Sequence, residues 1–119
     1  MTKRLTIGYY GNGKSTNRYH LPFLMRRKDT IFVKTIYAPT LRDDWARWEG
    51  VHYTDKLDDL LNDPEIDVVV VTTPAPAHYE TAKQVLEAGK NLVLEKPFTQ
   101  SVKKSQELFD LAREKGVMI

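Results

Sequence analysis

Two kinds of apolar segment alternate along the chain. Leu5–Tyr10, Ile31–Ala38, Val51–Tyr53, Ile66–Thr72 and Leu92–Glu95 are short and rich in β-branched and aromatic residues, the composition of strands. Between them, apolar positions recur at helical spacing. Leu21, Leu24 and Met25 share a stripe with Lys28 within Lys14–Lys28. Leu57, Leu60 and Leu61 form a second stripe, and Tyr79, Ala82, Val85 and Leu86 a third within Ala77–Ala88. Ser105, Leu108, Phe109 and Ala112 line a fourth within Ser101–Lys115. Pro22 interrupts the first helix because it lacks a backbone donor. Thr54 is expected to cap the second helix, and Asn62-Asp63-Pro64 to end it. Gly89 and Gly116 stand where helices three and four should stop, and Val117–Ile119 should open a further strand.

Val68 to Val71 are four valines without alternation, so that strand is buried on both faces and parallel to its neighbours. Strands alternating with helices, joined by right-handed crossovers, predict an α/β fold with a doubly wound parallel sheet. Ligands of such sheets bind outside the carboxyl ends of the strands. The segments to search are therefore residues 11–16, 38–42, 72–78 and 95–98.

Composition narrows the partners. At 119 residues the chain reads as one domain, 1–119, able to bury about 65% of its unfolded surface. Eighteen basic against sixteen acidic side chains leave a formal charge of +2, which argues for neither nucleic acid nor anionic membrane as partner. The absence of Cys excludes a disulfide scaffold, a Cys-ligated metal and a Cys nucleophile, and fits a cytoplasmic location. No apolar run is long enough for a membrane helix, and the start of the chain has no apolar signal-peptide region. His20, His52 and His78 have no metal-ligand spacing, so no metal site is expected.

The first strand exit, Gly8-Tyr9-Tyr10-Gly11-Asn12-Gly13-Lys14-Ser15-Thr16, fits two phosphate-binding patterns. Gly8, four residues, then Gly13-Lys14-Ser15 satisfies the P-loop string and would imply an ATP-binding domain. Gly11-x-Gly13-x-x-Thr16 satisfies the dinucleotide pattern except at its third glycine. Tyr9 and Tyr10 are strand residues that continue the strand to Gly11, and the valine strand ends without the acid that would hold magnesium. Both points favour the dinucleotide, with a stand-alone nucleotide-binding module or a tight turn without ligand as further readings. At the second exit no carboxylate precedes Asp43, whereas Thr40 and Arg42 suit a ribose 2′-phosphate; NADP is favoured over NAD. At the fourth, Thr72 and Thr73 offer hydroxyls to a ribose or nicotinamide, Pro74 keeps the chain extended, and His78 suits a structural hydrogen bond or a role in the site. At the fifth, Glu95-Lys96 faces the crevice, where a lysine can donate to a substrate oxygen or move a proton.

Gly11-Asn12-Gly13, His20-Leu21-Pro22, Val70-Val71-Thr72-Thr73-Pro74 with His78, and Ala88-Gly89-Lys90-Asn91…Glu95-Lys96-Pro97 fall in order along the chain. Together they resemble the N-terminal domain of the glucose–fructose oxidoreductase/inositol dehydrogenase/rhizopine catabolism (Gfo/Idh/MocA) family. The resemblance implies a Rossmann fold and an oxidoreductase that transfers hydride between NAD or NADP and a sugar, polyol or related hydroxy compound. It implies that Gly11, Asn12 and Gly13 hold the pyrophosphate, with Lys14, Ser15 and Thr16 at the following helix start. It places Thr73, Pro74 and His78 beside the nicotinamide, Glu95 in support of the cofactor, Pro97 in the turn, and Lys96 as the catalytic lysine. Thr16 in place of the third glycine and the missing strand-two acid depart from the NAD form. The family's substrate domain has no counterpart here, so the resemblance implies a domain that binds cofactor without turnover, the small-molecule substrate being bound by the longer parent. An uncovered partner face implies self-association into a homo-oligomer.

Overall fold

The computed structural model describes residues 3–119. Strands β1 (Leu5–Tyr10), β2 (Ile31–Tyr37), β3 (His52–Thr54), β4 (Val68–Val71) and β5 (Asn91–Leu94) form one parallel sheet in the order β3-β2-β1-β4-β5. The doubly wound expectation is met: the connection reverses direction between β1 and β4, which opens a crevice outside their carboxyl ends. The helices are α1 (Leu21–Leu24), α2 (Leu57–Leu61), α3 (His78–Glu87) and α4 (Val102–Lys115). Gly89 and Gly116 follow α3 and α4 with φ of 78° and 69°, the left-handed stop expected there.

Side-chain alternation divides the core between the two faces. Tyr10, Tyr37, Val69 and Val71 pack with Leu60, Val85, Leu86 and Leu108 from the helices of one face. Ile7, Tyr9, Ile36 and Val70 pack on the other, against Leu21. Adjacent valines of β4 therefore serve opposite faces, which is why the strand needs no polar alternation.

Several local expectations are corrected. Lys14–Lys28 is not one helix: a π-turn over Ser15–His20 runs into the short α1, and Lys28 lies outside both. Pro22 sits in the first turn of α1, where its missing donor is tolerated. Thr54 does not cap α2; it ends β3, where its hydroxyl donates to Asp59 (2.6 Å) and accepts from the Lys56 amide (3.0 Å). Phe109 leaves the buried stripe, 44% exposed, because it stacks on Phe98 at the domain edge. Val117–Ile119 forms no strand, yet the Leu92 amide donates to the Met118 carbonyl at 2.9 Å alongside β5.

Gly8 lies inside β1, paired with Thr35 and Val69, rather than in a phosphate loop. A Cβ there would stand 2.4 Å from Leu60 Cδ1 and 3.2 Å from Ile66 Cδ1. The glycine is a packing requirement, so the P-loop string is a coincidence of spacing. Gly8→Ala is expected to destabilise the domain by about 1–3 kcal/mol through overpacking. In a Leu60→Ala background the same change should cost less than half of that, a coupling readable from urea denaturation of the four-member cycle.

Candidate dinucleotide site

The crevice is built on the closest approach between the β1 and β4 exits. Gly11 has φ of +133°, and a Cβ on it would lie 2.5 Å from Thr72 Oγ1 and 3.1 Å from the Thr72 carbonyl carbon. Only glycine meets both demands. Ladder-like bonds continue past the strand ends: Gly11 N–H donates to Tyr37 O (2.8 Å) and Thr72 N–H to Tyr10 O (3.0 Å).

Thr16, which replaces the third glycine, has a positive role. It is fully buried, its hydroxyl donates to the Gly11 carbonyl (2.9 Å), and it lies 2.6 Å from the Thr72 hydroxyl. Because the Thr16 proton is committed to Gly11, Thr72 donates to Thr16. The two hydroxyls thus lock the glycine turn to β4. Thr72 is turned inward by this bond instead of toward the crevice, and the Thr73 hydroxyl is likewise engaged, 3.1 Å from that of Thr81.

Two cavities meet at Thr72 and Thr73. The larger, about 490 Å³, is lined by Gly11, Asn12, Gly13 and Lys14 together with Ala38, Pro39 and Pro74. A Cβ on Gly13 would meet nothing within 4 Å. The loop edge is thus open to a bulky anion, and the residues fit a pyrophosphate at this position. Asn12 is fixed by Asn17, whose amide donates to Asn12 Oδ1 and to the Gly13 carbonyl, each at 2.9 Å. The second cavity, about 380 Å³, is lined by Ser15, Tyr19, Ala75, His78, Glu95 and Lys96.

The turn after β5 is braced on both sides of Lys96. Before it, Glu95 Oε1 lies 2.5 Å from His20 Nε2. After it, the Pro97 carbonyl lies 2.7 Å from His78 Nδ1, and His78 Nε2 lies 2.9 Å from the Thr73 carbonyl. His78 is 2% exposed and both its ring nitrogens face backbone, so it holds the Lys96–Pro97 turn against the β4 exit. Lys96 is exposed and makes no hydrogen bond or ion pair among the described residues. Thr40 and Arg42 line neither cavity; both are exposed in the loop after β2. Sequence reasoning did not assign Tyr19, Asn17 or the brace formed by His20; for His20 the reason is that its partner Glu95 lies 75 positions away in the chain. The tyrosine and histidine of Arg18-Tyr19-His20-Leu21-Pro22 were the available signal.

Thr16→Val keeps the volume and removes the shared hydroxyl, leaving Thr72 and the Gly11 carbonyl short of a partner. It is expected to lower stability by about 1–3 kcal/mol in denaturant unfolding, whereas Ser at this position should retain most of it.

Comparison with known proteins agrees with this geometry. Residues 5–119 match the family model described as oxidoreductase family, NAD-binding Rossmann fold. The uncharacterized oxidoreductase YhhX of Escherichia coli (strain K12) is 43% identical over 117 residues, covering 97% of this chain and 34% of the relative. The scyllo-inositol 2-dehydrogenase (NADP(+)) IolW of Bacillus subtilis (strain 168) is 34% identical over 117 residues, covering 97% and 32%. The crystal structure of an oxidoreductase from Bacillus cereus superposes with a TM-score of 0.87 at 49% identity, covering 96% of this chain and 33% of that one. The chain spans about a third of the length of these relatives. With a parallel sheet reversing at β1 and β4, a glycine turn and a Glu95-Lys96-Pro97 turn facing one crevice, the chain belongs to the Gfo/Idh/MocA oxidoreductase family and carries its NAD-binding Rossmann domain.

Proposed function

We propose that this domain binds NADP in preference to NAD and serves an oxidoreductase acting on a sugar, polyol or related hydroxy compound. The observation that carries the reading is the junction of two cavities at Thr72–Thr73, one walled by the glycine turn and the other by Glu95 and Lys96. A dinucleotide laid across that junction has its pyrophosphate at Gly11–Lys14 and its nicotinamide toward Lys96. The nicotinamide supplies the hydride acceptor or donor. Ser15, Pro74 and Pro97 shape the walls and the turn, and Lys96 is the catalytic residue: its unengaged amine binds the substrate hydroxyl and transfers that hydroxyl's proton.

Preference for NADP is supported by the β2 exit. It carries Thr40 and Arg42, groups suited to a 2′-phosphate, and no carboxylate before Asp43. The NADP named for IolW, a relative over nearly the whole chain, points the same way. Substrate contacts and turnover belong to the longer protein in which this domain works, in a soluble small-molecule reaction; a homo-oligomer is the assembly proposed for it.

A fluorescence titration of the chain with NADPH and NADH tests the reading. Saturable NADPH binding, tighter than NADH and undisturbed by ATP with magnesium, is expected; ATP binding without NADPH binding would overturn it. Arg42→Ala should weaken NADPH by about tenfold while leaving NADH unchanged, the size of one charge-assisted contact to phosphate. In the longer protein, Lys96→Ala should lower kcat by about 10²–10⁴-fold with NADPH affinity retained, as loss of a proton-transfer group requires.

A further inference from the structure

Tyr9, His20 and Glu95 belong to three different segments and make one hydrogen-bonded line. Tyr9 stands in β1, His20 closes the π-turn after the glycine loop, and Glu95 comes directly after β5 and before Lys96. Tyr9 Oη lies 3.0 Å from His20 Nδ1, with the rings edge to face at 5.6 Å. His20 Nε2 lies 2.5 Å from Glu95 Oε1.

The direction of this line is set by donor chemistry. A carboxylate oxygen only accepts, so Nε2 carries a ring proton, and in the neutral ring Nδ1 is left as an acceptor. Tyr9 must then donate. It is able to, because burial first, and the Glu95 charge second, push the Tyr9 phenol far above its ordinary range and keep its proton in place. The line runs one way: Tyr9 to His20 to Glu95.

Its two ends differ. Tyr9 is 0% exposed and packed with Leu21 and Ile36, so the inner end is anchored in the core. Glu95 lines the cavity shared with Lys96, and its second oxygen has no partner among the described residues. The π-turn matters here. The Leu21 amide bonds the Thr16 carbonyl five residues back, which inserts one residue into the turn. Each inserted residue rotates the downstream side chains by about 100° around the helix axis.

We infer that His20 is a positioning residue: it holds one oxygen of Glu95 so that the other faces the ligand cavity, where it accepts from a hydroxyl or amide N–H at the nicotinamide end of a bound dinucleotide. This rests on the cofactor reading above. The alternative is an ordinary helix-to-sheet tie with no bearing on ligand.

Ligands that share the phosphates and differ at the nicotinamide separate the two. The chain and its His20→Asn, His20→Gln and Glu95→Gln variants are titrated with NADPH and with 2′-phospho-ADP-ribose, which lacks the nicotinamide. His20→Asn keeps an amide near Tyr9 but falls short of Glu95. It is expected to weaken NADPH by about tenfold, the order of one hydrogen bond to a charged group, and the truncated ligand by less than about twofold. Glu95→Gln should do the same, and the double variant should be no worse than Glu95→Gln alone. His20→Gln, whose amide N–H reaches Glu95, should restore most of the NADPH affinity. Equal weakening of both ligands would overturn the inference in favour of a structural tie, and so would unchanged NADPH affinity in Glu95→Gln, which serves as the test if the His20 variants do not fold. A wild-type chain that binds 2′-phospho-ADP-ribose as tightly as NADPH would overturn the inference alone. One that binds neither would overturn the cofactor reading together with it.

Discussion

The close approach of Gly11 to Thr72 is the constraint on which the rest of the site depends. A doubly wound sheet offers a crevice only where its winding reverses, and here that point lies between β1 and β4. The β1 exit must turn away without colliding with the β4 exit beside it. A positive φ and 2.5 Å of clearance leave room for no side chain at residue 11. Once the turn is made, two buried hydroxyls secure it: Thr16 donates to the Gly11 carbonyl and receives the proton of Thr72. A third glycine would supply close packing but could not supply that bond. The departure from the glycine pattern is thus a substitution of one kind of contact for another.

The same logic recurs at the β5 exit. Lys96 needs a free amine and a defined position, which are opposing requirements for a long flexible side chain. The structure meets them by bracing the backbone and leaving the lysine alone. His20 holds Glu95 on one side, and His78 holds the Pro97 carbonyl on the other while also meeting the Thr73 carbonyl. Two of the three histidines of the chain are spent on a single turn. Their partners come from β1 and from the exits of β4 and β5, so the crevice and the core are coupled through them.

Much of this was legible in the residues. The unbroken valines of β4 required burial on both faces, and Val69 and Val70 indeed serve opposite clusters. Most strand and helix positions could be read from periodicity, with boundaries shifted by a residue or two where a turn intervened, as at Ala75–Ala77 before α3; the Lys14–Lys28 helix and the Val117–Ile119 strand could not. The misreadings have separate physical causes. Thr54 looked like a cap because threonine is a preferred residue just before a helix, yet its hydroxyl has a partner in the Asp59 carboxylate instead. Phe109 fell on the buried stripe of α4, but the stripe runs out over the domain edge, where Phe98 offers a stacking face. Local spacing records which side of a helix a residue occupies, and not how far the neighbouring layer extends.

The ambiguous glycine string marks the same boundary. Sequence by itself determined the alternation of strands and helices, the parallel sheet, the crevice at the strand exits and the residue types available there. Those features arise from nearest-neighbour sterics and hydrophobic periodicity, which are properties of the chain. Only the tertiary structure decided that Gly8 is a packing glycine under Leu60, that Thr16 reaches Thr72, and that His20 and His78 converge on the turn around Lys96. Each of these is a contact between residues 19 to 75 positions apart. Such contacts depend on the order in which strands are laid down in the sheet, and no local pattern encodes that distance.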